Sequence, residues 1–489
     1  MRSAAILALI LPVALAMPTA ALAADNDARI RQIENGLAPA IVVAGRPVPS
    51  SNIEDRMRAT HTPGVSIAFF ENGRIVWTRA WGLADIASGR PVTPDTLFQA
   101  GSISKSVTAT GALRLVQEGR LDLDQDVNTR LRGWRVPPSP FTAEQKVTLR
   151  RLLGHTAGLT VHGYNGYAQG GPVPDTVQVL NGAPPANSAP VVSFATPGQQ
   201  WAYSGGGYVA TQLLMTEVAE TPFPNLMHRL VLGPAAMDHS TYDQALTPEQ
   251  TALAATGYAS SGDAVPGGHH LYPEMAAAGL WTTPSDLARF AIALQGSVRG
   301  SARPLLGREA TKAMMTRGLG DWGLGVSLGS PAGPAMFEHS GDDQGFNADL
   351  IAFTGGRRQG VAIMTNGDGG RQLIPEIVRS VANTYGWSAE QPKLLRPAPL
   401  SAEQRAALAG NYEIKALGAT LTVSVEGDRL FATAPALSPQ RYEFLPETPT
   451  HLVLLELEIA ADVERGPDGA VSGLALSGIL GNLQAVRKP

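Results

Sequence analysis

The 489-residue chain contains no cysteine. That excludes disulfides, thiolate zinc sites, a cysteine nucleophile and a lipidated bacterial N-terminus. Charge is sparse: 16% of residues are charged and the formal net charge is -4. No Lys/Arg cluster forms a basic stripe, so nothing points to a nucleic-acid partner. Long apolar runs are missing after the first two dozen residues. A membrane span needs about 20 of them, so no stable membrane anchor is expected. No internal repeat is present. What the chain does have is length and a 44% hydrophobic content, enough for a large core and for two domains or more.

The N-terminus has the layout of a secretory signal. Arg2 supplies a positive charge, Ala4 to Ala16 an apolar stretch interrupted by Pro12, and Ala21-Leu22-Ala23 a small-x-small cleavage site. We expect a signal peptide over 1–23, a mature chain from Ala24, and a periplasmic or secreted protein.

A helix is expected from Ile30 to about Ala38. Gly64 to Phe70 then reads as a strand, Asn72-Gly73 as a hairpin turn and Arg74 to Trp81 as the returning strand. A buried helix runs from Ser102 and stops at Gly119. Val147 to Leu153 is a short helix, and Thr160 to Gly198 is a Gly/Pro/Asn-rich loop, long enough to be a lid or binding loop. Tyr164 and Tyr167 are its two candidate substrate-facing aromatics. Further helices are expected over Val209 to Ala219, Pro224 to Leu232 and from Pro284. Strands follow over Gly323 to Leu328, Ala335 to His339, Phe346 to Phe353 and Gly360 to Thr365, and a helix over Leu373 to Tyr385. After a Pro-rich linker over 389–399, a hairpin at Leu421 to Ala432 and strands at Leu452 to Ile459 and Val471 to Leu476 predict a small β domain over 400–489.

Three patterns carry no chemistry. Gly318 to Gly323 satisfies G-x-G-x-x-G but precedes a strand instead of joining strand to helix. Gly154-His155-Thr156-Ala157-Gly158 imitates a nucleophile elbow with no strand feeding it. His269-His270 lacks a third metal ligand, so no metal site is expected.

Three dispersed pieces remain. Ser102 and Lys105 are three residues apart at a helix start, on one face, so an amine reaches a hydroxyl. A partly desolvated lysine is a base able to activate serine. Tyr203, in Tyr203-Ser204-Gly205, opens a helix at a glycine-rich turn. A phenol near an ammonium ionises more easily, which suits Tyr203 to carry a proton to the leaving group. His339-Ser340-Gly341 ends a strand before a Gly-rich turn.

In this order, S-x-x-K, Tyr-x-x and His-x-Gly resemble the serine β-lactamase and penicillin-binding-protein superfamily. The likeness is strongest to the class C-like branch with family VIII esterases, D-alanyl-D-alanine carboxypeptidases and D-aminopeptidases. Leu152 to Leu159 looks like that branch's L-L-x-H-T-S-G-L, and Ala278 to Leu287 like its G-G-L-x-S-T-x-x-D-L. The resemblance spans about Thr62 to Tyr385, within a hydrolase domain placed at 24–388. The C-terminal part looks like an appended lipocalin-like domain.

The resemblance implies an α+β fold: a three-layer α/β/α arrangement with a central antiparallel sheet, a helical region and a C-terminal β-barrel-like domain. It implies an acyl-enzyme on Ser102, with Lys105 and Tyr203 as base and relay. It also implies an oxyanion hole from the backbone N–H groups of Ser102 and Asp342, and substrate contacts at His339, Ser340, Gly341 and Gly205. No cofactor is implied; the partner is a small-molecule or peptide substrate. Two positions depart from the family pattern. Gly205 stands in place of asparagine and His339 in place of lysine, which weakens the case for an efficient β-lactamase or D-Ala-D-Ala enzyme. The expected activity is ester or amide hydrolysis. A slow penicillin-binding sensor or carboxypeptidase and a non-catalytic binding module are the alternatives.

Overall fold

The computed structural model describes residues 19–455, 459–478 and 482–488. Most of the expected signal segment, 1–18, lies outside them. A helix spans Thr19–Glu34, earlier than the helix expected from Ile30. The chain forms two compact units. One comprises the described residues up to Asn35 with Asn52–Ile374, the other Gly36–Ser51 with the described residues from Pro375 on.

The first unit is built on six antiparallel strands: β1 Gly64–Glu71, β2 Arg74–Asp85, β3 Arg90–Pro91, β4 Met336–Asp343, β5 Phe346–Phe353 and β6 Gly360–Thr365. Their order is β3-β2-β1-β6-β5-β4. Asn72 and Gly73 both take positive φ, as a tight hairpin between right-twisted strands requires. The central strands β1 and β6 are buried almost throughout, which is why they read as continuous apolar runs. Three helices matter for the site: α1 Ile103–Gln117, α2 Gly205–Ala219 and α3 Pro284–Arg299. Helix α3 packs on β1, β2, β5 and β6, while α1 packs on β4 and β5 and against α2. Thr283 caps α3 by accepting from Asp286 N, and Gly300 ends it in a left-handed turn.

Helix α1 is core on nearly every side, so its polar residues must find partners inside. Ser106 donates to Gly325 O at 2.7 Å, Thr108 to Ala276 O at 3.2 Å, and Ser104 Oγ accepts from Leu280 N at 3.0 Å.

Two expectations fail locally. Gly323 to Leu328 is not a strand; only isolated bridges join Trp322 to Ser327 and Ser327 to Glu338. Gly325, at φ +84, turns the chain onto α1, where a Cβ would fall 2.3 Å from Ala109 Cβ. The expected helix Pro224 to Leu232 starts at Phe223 and changes to a π-helical turn at His228–Leu232.

In the second unit eight strands, from Gly410–Ile414 to Leu483–Arg487, pair in sequence and close on themselves as a barrel. Its interior is filled by buried residues including Tyr412, Leu430, Phe444, Leu452 and Leu474. The segment read as a linker is not free. Lys393–Leu395 pairs in parallel with Ile41–Val43, a partner some 350 residues away that local composition cannot reveal. Arg46 from the same early stretch meets Glu443 at 2.7 and 2.9 Å, and Arg429 bonds that carboxylate from the other side. Arg46 first, with Arg429, holds the Glu443 carboxyl down to about 2. A carboxylate with a depressed folded pKa stabilises above its unfolded value of 4.5 and loses that contribution as pH falls toward 2. Glu443→Gln is therefore expected to lower the melting temperature of this unit by about 5 °C at pH 7 and by much less near pH 3. Thermal melts at the two pH values check it.

Candidate active site

Ser102 occupies the N-cap position of α1 in helical geometry, and its hydroxyl makes no capping bond. Its backbone N–H belongs to the group that a helix start leaves without intrahelical acceptors. Beside it runs β4, an edge strand. Gly101 has φ +51, and a Cβ there would sit 2.3 Å from Asp342 N. A Cβ on Gly341 would sit 1.9 Å from Ala100 O. These two glycines let strand and helix start touch backbone to backbone. The two-residue turn after Asp343 makes Asp343–Phe346 the closing hydrogen-bonded pair. Asp342–Asn347 is then a non-hydrogen-bonded pair, and Asp342 N–H points away from β5. Ser102 and Asp342 both line the cleft.

Lys105 is 2% exposed. Its Nζ lies 2.9 Å from Ser102 Oγ and 2.8 Å from Ala277 O. Burial lowers its pKa to about 7, with the Asp343 carboxyl opposing the shift. Near neutral pH a large fraction is free amine. Ala277 O holds one N–H, which leaves the nitrogen lone pair for the Ser102 proton.

Tyr203 is hydrogen-bonded to Ser102, and Lys105 Nζ lies 4.9 Å from its ring centroid. The expected easing of its ionisation is not found. Burial pushes the phenol up, and the bond to Ser102 only partly opposes it. Tyr203 is a neutral hydroxyl that can accept one proton while giving another; the free base is Lys105. Sequence shows the neighbouring ammonium but not the burial that outweighs it.

One residue of the site reads in the sequence only as part of a turn. His155 is 1% exposed and stacks on Tyr203 with centroids 4.2 Å apart. Its Nδ1 accepts from Ser204 N at 3.1 Å, and its carbonyl accepts from Ala202 N at 2.8 Å. It therefore grips the backbone on both sides of Tyr203. Burial, then the Lys105 charge, holds its pKa far down, so it stays neutral with the acceptor nitrogen in place. The available signal was a histidine inside a Leu-rich, otherwise apolar stretch. His155→Phe keeps an aromatic stack but leaves Ser204 N–H unpaired, at about 1–3 kcal/mol. We expect kcat to fall about tenfold with KM little changed. His155→Asn, whose oxygen can replace Nδ1, should recover part of it; equal kcat in both variants would remove the positioning role.

His339 lies in β4 and lines the cleft with Ser102, Tyr203 and Ser340. Its Nδ1 donates to Ser340 O at 2.6 Å, and its buried Nε2 has no partner. Burial, then the Lys105 charge, lowers its pKa to about 3, so at neutral pH it offers an acceptor and no cation. Gly341 acts through the close approach already described. Gly205 does not line the cleft: a Cβ there would meet His162 O and the Tyr164 ring at 3.0 Å, so a larger residue needs the loop to shift by a few tenths of an ångström. Tyr164 lines the smaller of the two cavities at the site. Tyr167 does not. It bonds Glu274 and accepts from Asn187 N, pinning the loop. His269 and His270 bond Gln169 and Asn165 O. No metal-binding cluster occurs among the described residues. Gly320 of the G-x-G-x-x-G pattern lies under the Trp201 indole, where a Cβ would come within 2.6 Å.

Two adjoining cavities, of about 570 and about 440 Å³, meet at Ser102 and Tyr203. A serine bonded to a buried lysine, with a phenol beside it in such a cleft, suits acyl transfer.

The sheet, helix α1 and this cleft have the β-lactamase/transpeptidase-like arrangement. The family model for Beta-lactamase matches residues 50–383, and the chain belongs to that family. It is 36% identical to esterase EstB of Burkholderia gladioli over 162 residues, 31% of this chain and 40% of that protein. To penicillin-binding protein 4* of Bacillus subtilis (strain 168) it is 24% identical over 435 residues, 82% and 90% of the two chains. The match thus spans well under half of the esterase and nearly all of the penicillin-binding protein. Among solved structures the fold resembles the octameric penicillin-binding protein homologue from Pyrococcus abyssi, with TM-score 0.59 and 21% identity over 88% of this chain and 98% of that one. SurE with D-Leu gives TM-score 0.56 and 22% identity over 95% and 100%.

Proposed function

We propose that the chain is an exported serine hydrolase that cleaves an ester or amide through an acyl-enzyme on Ser102. The observation that carries this is the buried Lys105 amine 2.9 Å from Ser102 Oγ. Lys105 takes the hydroxyl proton as Oγ bonds to the substrate carbonyl carbon. The carbonyl oxygen becomes an oxyanion held by the N–H groups of Ser102 and Asp342, a donor of this kind contributing about 3–4 kcal/mol. Tyr203 passes the proton from Lys105 to the leaving oxygen or nitrogen as that bond breaks. Water then gives a proton back along the same path, attacks the ester carbon and restores Ser102. Small esters and D-amino-acid peptides or amides are the substrates we favour; β-lactams would react inefficiently. The proposed periplasmic or secreted location rests on the N-terminal pattern, and retention of the full chain in the cytoplasm on fractionation would count against it.

The test is intact-mass spectrometry after mixing with p-nitrophenyl esters, D-amino-acid amides and nitrocefin, with adducts mapped to residues. We expect an acyl mass on Ser102 that decays with turnover and is absent from Ser102→Ala. An adduct that persists would make the protein a slow penicillin-binding sensor. Equal background turnover by both proteins would leave a binding module.

A further inference from the structure

The Ala277 carbonyl that holds the Lys105 amine sits on a short turn. Met275–Ala278 is one turn of helix, closed by Glu274 O, which accepts from Ala277 N and Ala278 N at 2.8 and 3.0 Å. A single turn is not stable by itself, so its place depends on what grips it from outside.

Two side chains do so. Gln212 of α2 is 1% exposed. Its Nε2 donates to Pro273 O at 2.9 Å, and its Oε1 accepts from Ala276 N at 2.8 Å. One amide thus bonds the backbone on both sides of Glu274 and Met275. Its second N–H goes to Thr176 Oγ1 at 3.1 Å. From α1, Thr108 donates to Ala276 O at 3.2 Å. The next carbonyl along, Ala277 O, accepts from Lys105 Nζ at 2.8 Å, and Nζ lies 2.9 Å from Ser102 Oγ. An amide gives to a carbonyl and accepts from an N–H at once, with no charge to bury. A helix packed for area alone would carry an aliphatic residue at a position this buried.

We propose that Gln212 and Thr108 are positioning residues for the Lys105 amine: they fix the turn that aims Ala277 O at Nζ and so keep the nitrogen lone pair on Ser102 Oγ. This rests on Lys105 being the base for Ser102. Burial sets how readily the amine is free, and the clamp sets where it points. With the clamp gone, Ala277 O withdraws and the amine faces Ser102 in a smaller share of its orientations. The ammonium loses more than the amine does, because a carbonyl bonds the charged form more strongly. The other titratable groups around the amine are Asp343 and His339 of β4, His155, Tyr203, and Tyr208 of α2. All stay intact in the variants below, so a change in the lysine's titration reports the carbonyl.

The test measures kcat and KM on p-nitrophenyl esters, with turnover by Ser102→Ala subtracted, and the titration of Lys105 by NMR of 15N-lysine-labelled protein. The Lys105 signal is the one missing from Lys105→Met. In Gln212→Met, which keeps the bulk and loses the bonds, we expect kcat to fall about ten- to hundredfold, as small misplacements of reacting groups do, with KM little changed. The Lys105 midpoint should drop below its wild-type value of about 7. Thr176→Val, which removes only the bond outside the turn, should match wild type in both. Wild-type kcat in Gln212→Met, a midpoint that stays or rises, or an equal loss in Thr176→Val overturns the proposal. Should Gln212→Met not fold, Thr108→Val, a replacement of the same shape, is read by the same two criteria with smaller changes. If no ester shows Ser102-dependent turnover, it is the hydrolase reading that fails, and the lysine midpoint still decides the clamp.

Discussion

Lys105→Met is expected to lower kcat/KM by about 10²–10⁴-fold, the range general bases supply, while raising the melting temperature. The two effects share one cause. The folded protein holds the amine at about 7 against an ordinary 10.5, because burial disfavours the cation. A base with a depressed folded pKa destabilises the fold fully below about pH 7. Stability returns as pH rises from there to 10.5, where the unfolded chain binds the extra proton. At pH 7 that penalty is roughly 4–5 kcal/mol, offset by about 1–3 kcal/mol for leaving Ala277 O without its donor. Methionine fills the same space without charge. Its stabilisation should therefore be largest at or below pH 7 and shrink toward pH 10. Lys105→Arg should not rescue activity, since a guanidinium stays protonated. Wild-type kcat/KM should rise with pH through about 7, with no separate limb from His339. Kinetics and thermal melts across pH 6–10 decide it. An active Met variant would end Lys105's role as base, and an unchanged melting profile would mean the amine is not held neutral.

Gly341→Ala is expected to reduce kcat by about 10²–10³-fold, the cost of losing one oxyanion donor, with a smaller change in KM. The added Cβ would meet Ala100 O at 1.9 Å and Ala100 C at 2.9 Å. Both are backbone atoms, so no rotamer relieves the contact. Strand β4 must retreat from Ser102, and Asp342 N–H goes with it. Gly355→Ala, which meets nothing within 4 Å, is the matched control and should be silent. Wild-type kcat in Gly341→Ala would show that Asp342 N–H is not an oxyanion donor.

What could be read from sequence follows from range. Ser102 and Lys105 are three residues apart on one helix, and strands such as Phe346–Phe353 and Gly360–Thr365 announce themselves by local apolar runs. His155 could not be read in this way. Its function is a stack and an accepted hydrogen bond across some fifty residues, made by a buried neutral imidazole that resembles any core histidine. The direction of the Tyr203 shift depends on burial, which only the fold supplies. Gly341 reads locally as a turn glycine, whereas its constraint is a contact with Ala100. Tyr167 reads locally as a substrate contact, as loop aromatics often do; its bond to Glu274 makes it a pin.

The pairing of Ile41–Val43 with Lys393–Leu395 has a consequence in the order of synthesis. Residues 36–51 leave the ribosome early, yet the strand they bind and the carboxylate Arg46 grips come more than three hundred residues later. At ribosomal speed that interval is on the order of tens of seconds. Throughout it the stretch has neither its strand partner nor Glu443, while the six-stranded sheet, encoded between the two halves, can already assemble. The barrel unit is therefore the last to be finished, and a chain cut before Lys393 would leave its first-made piece with nothing to join.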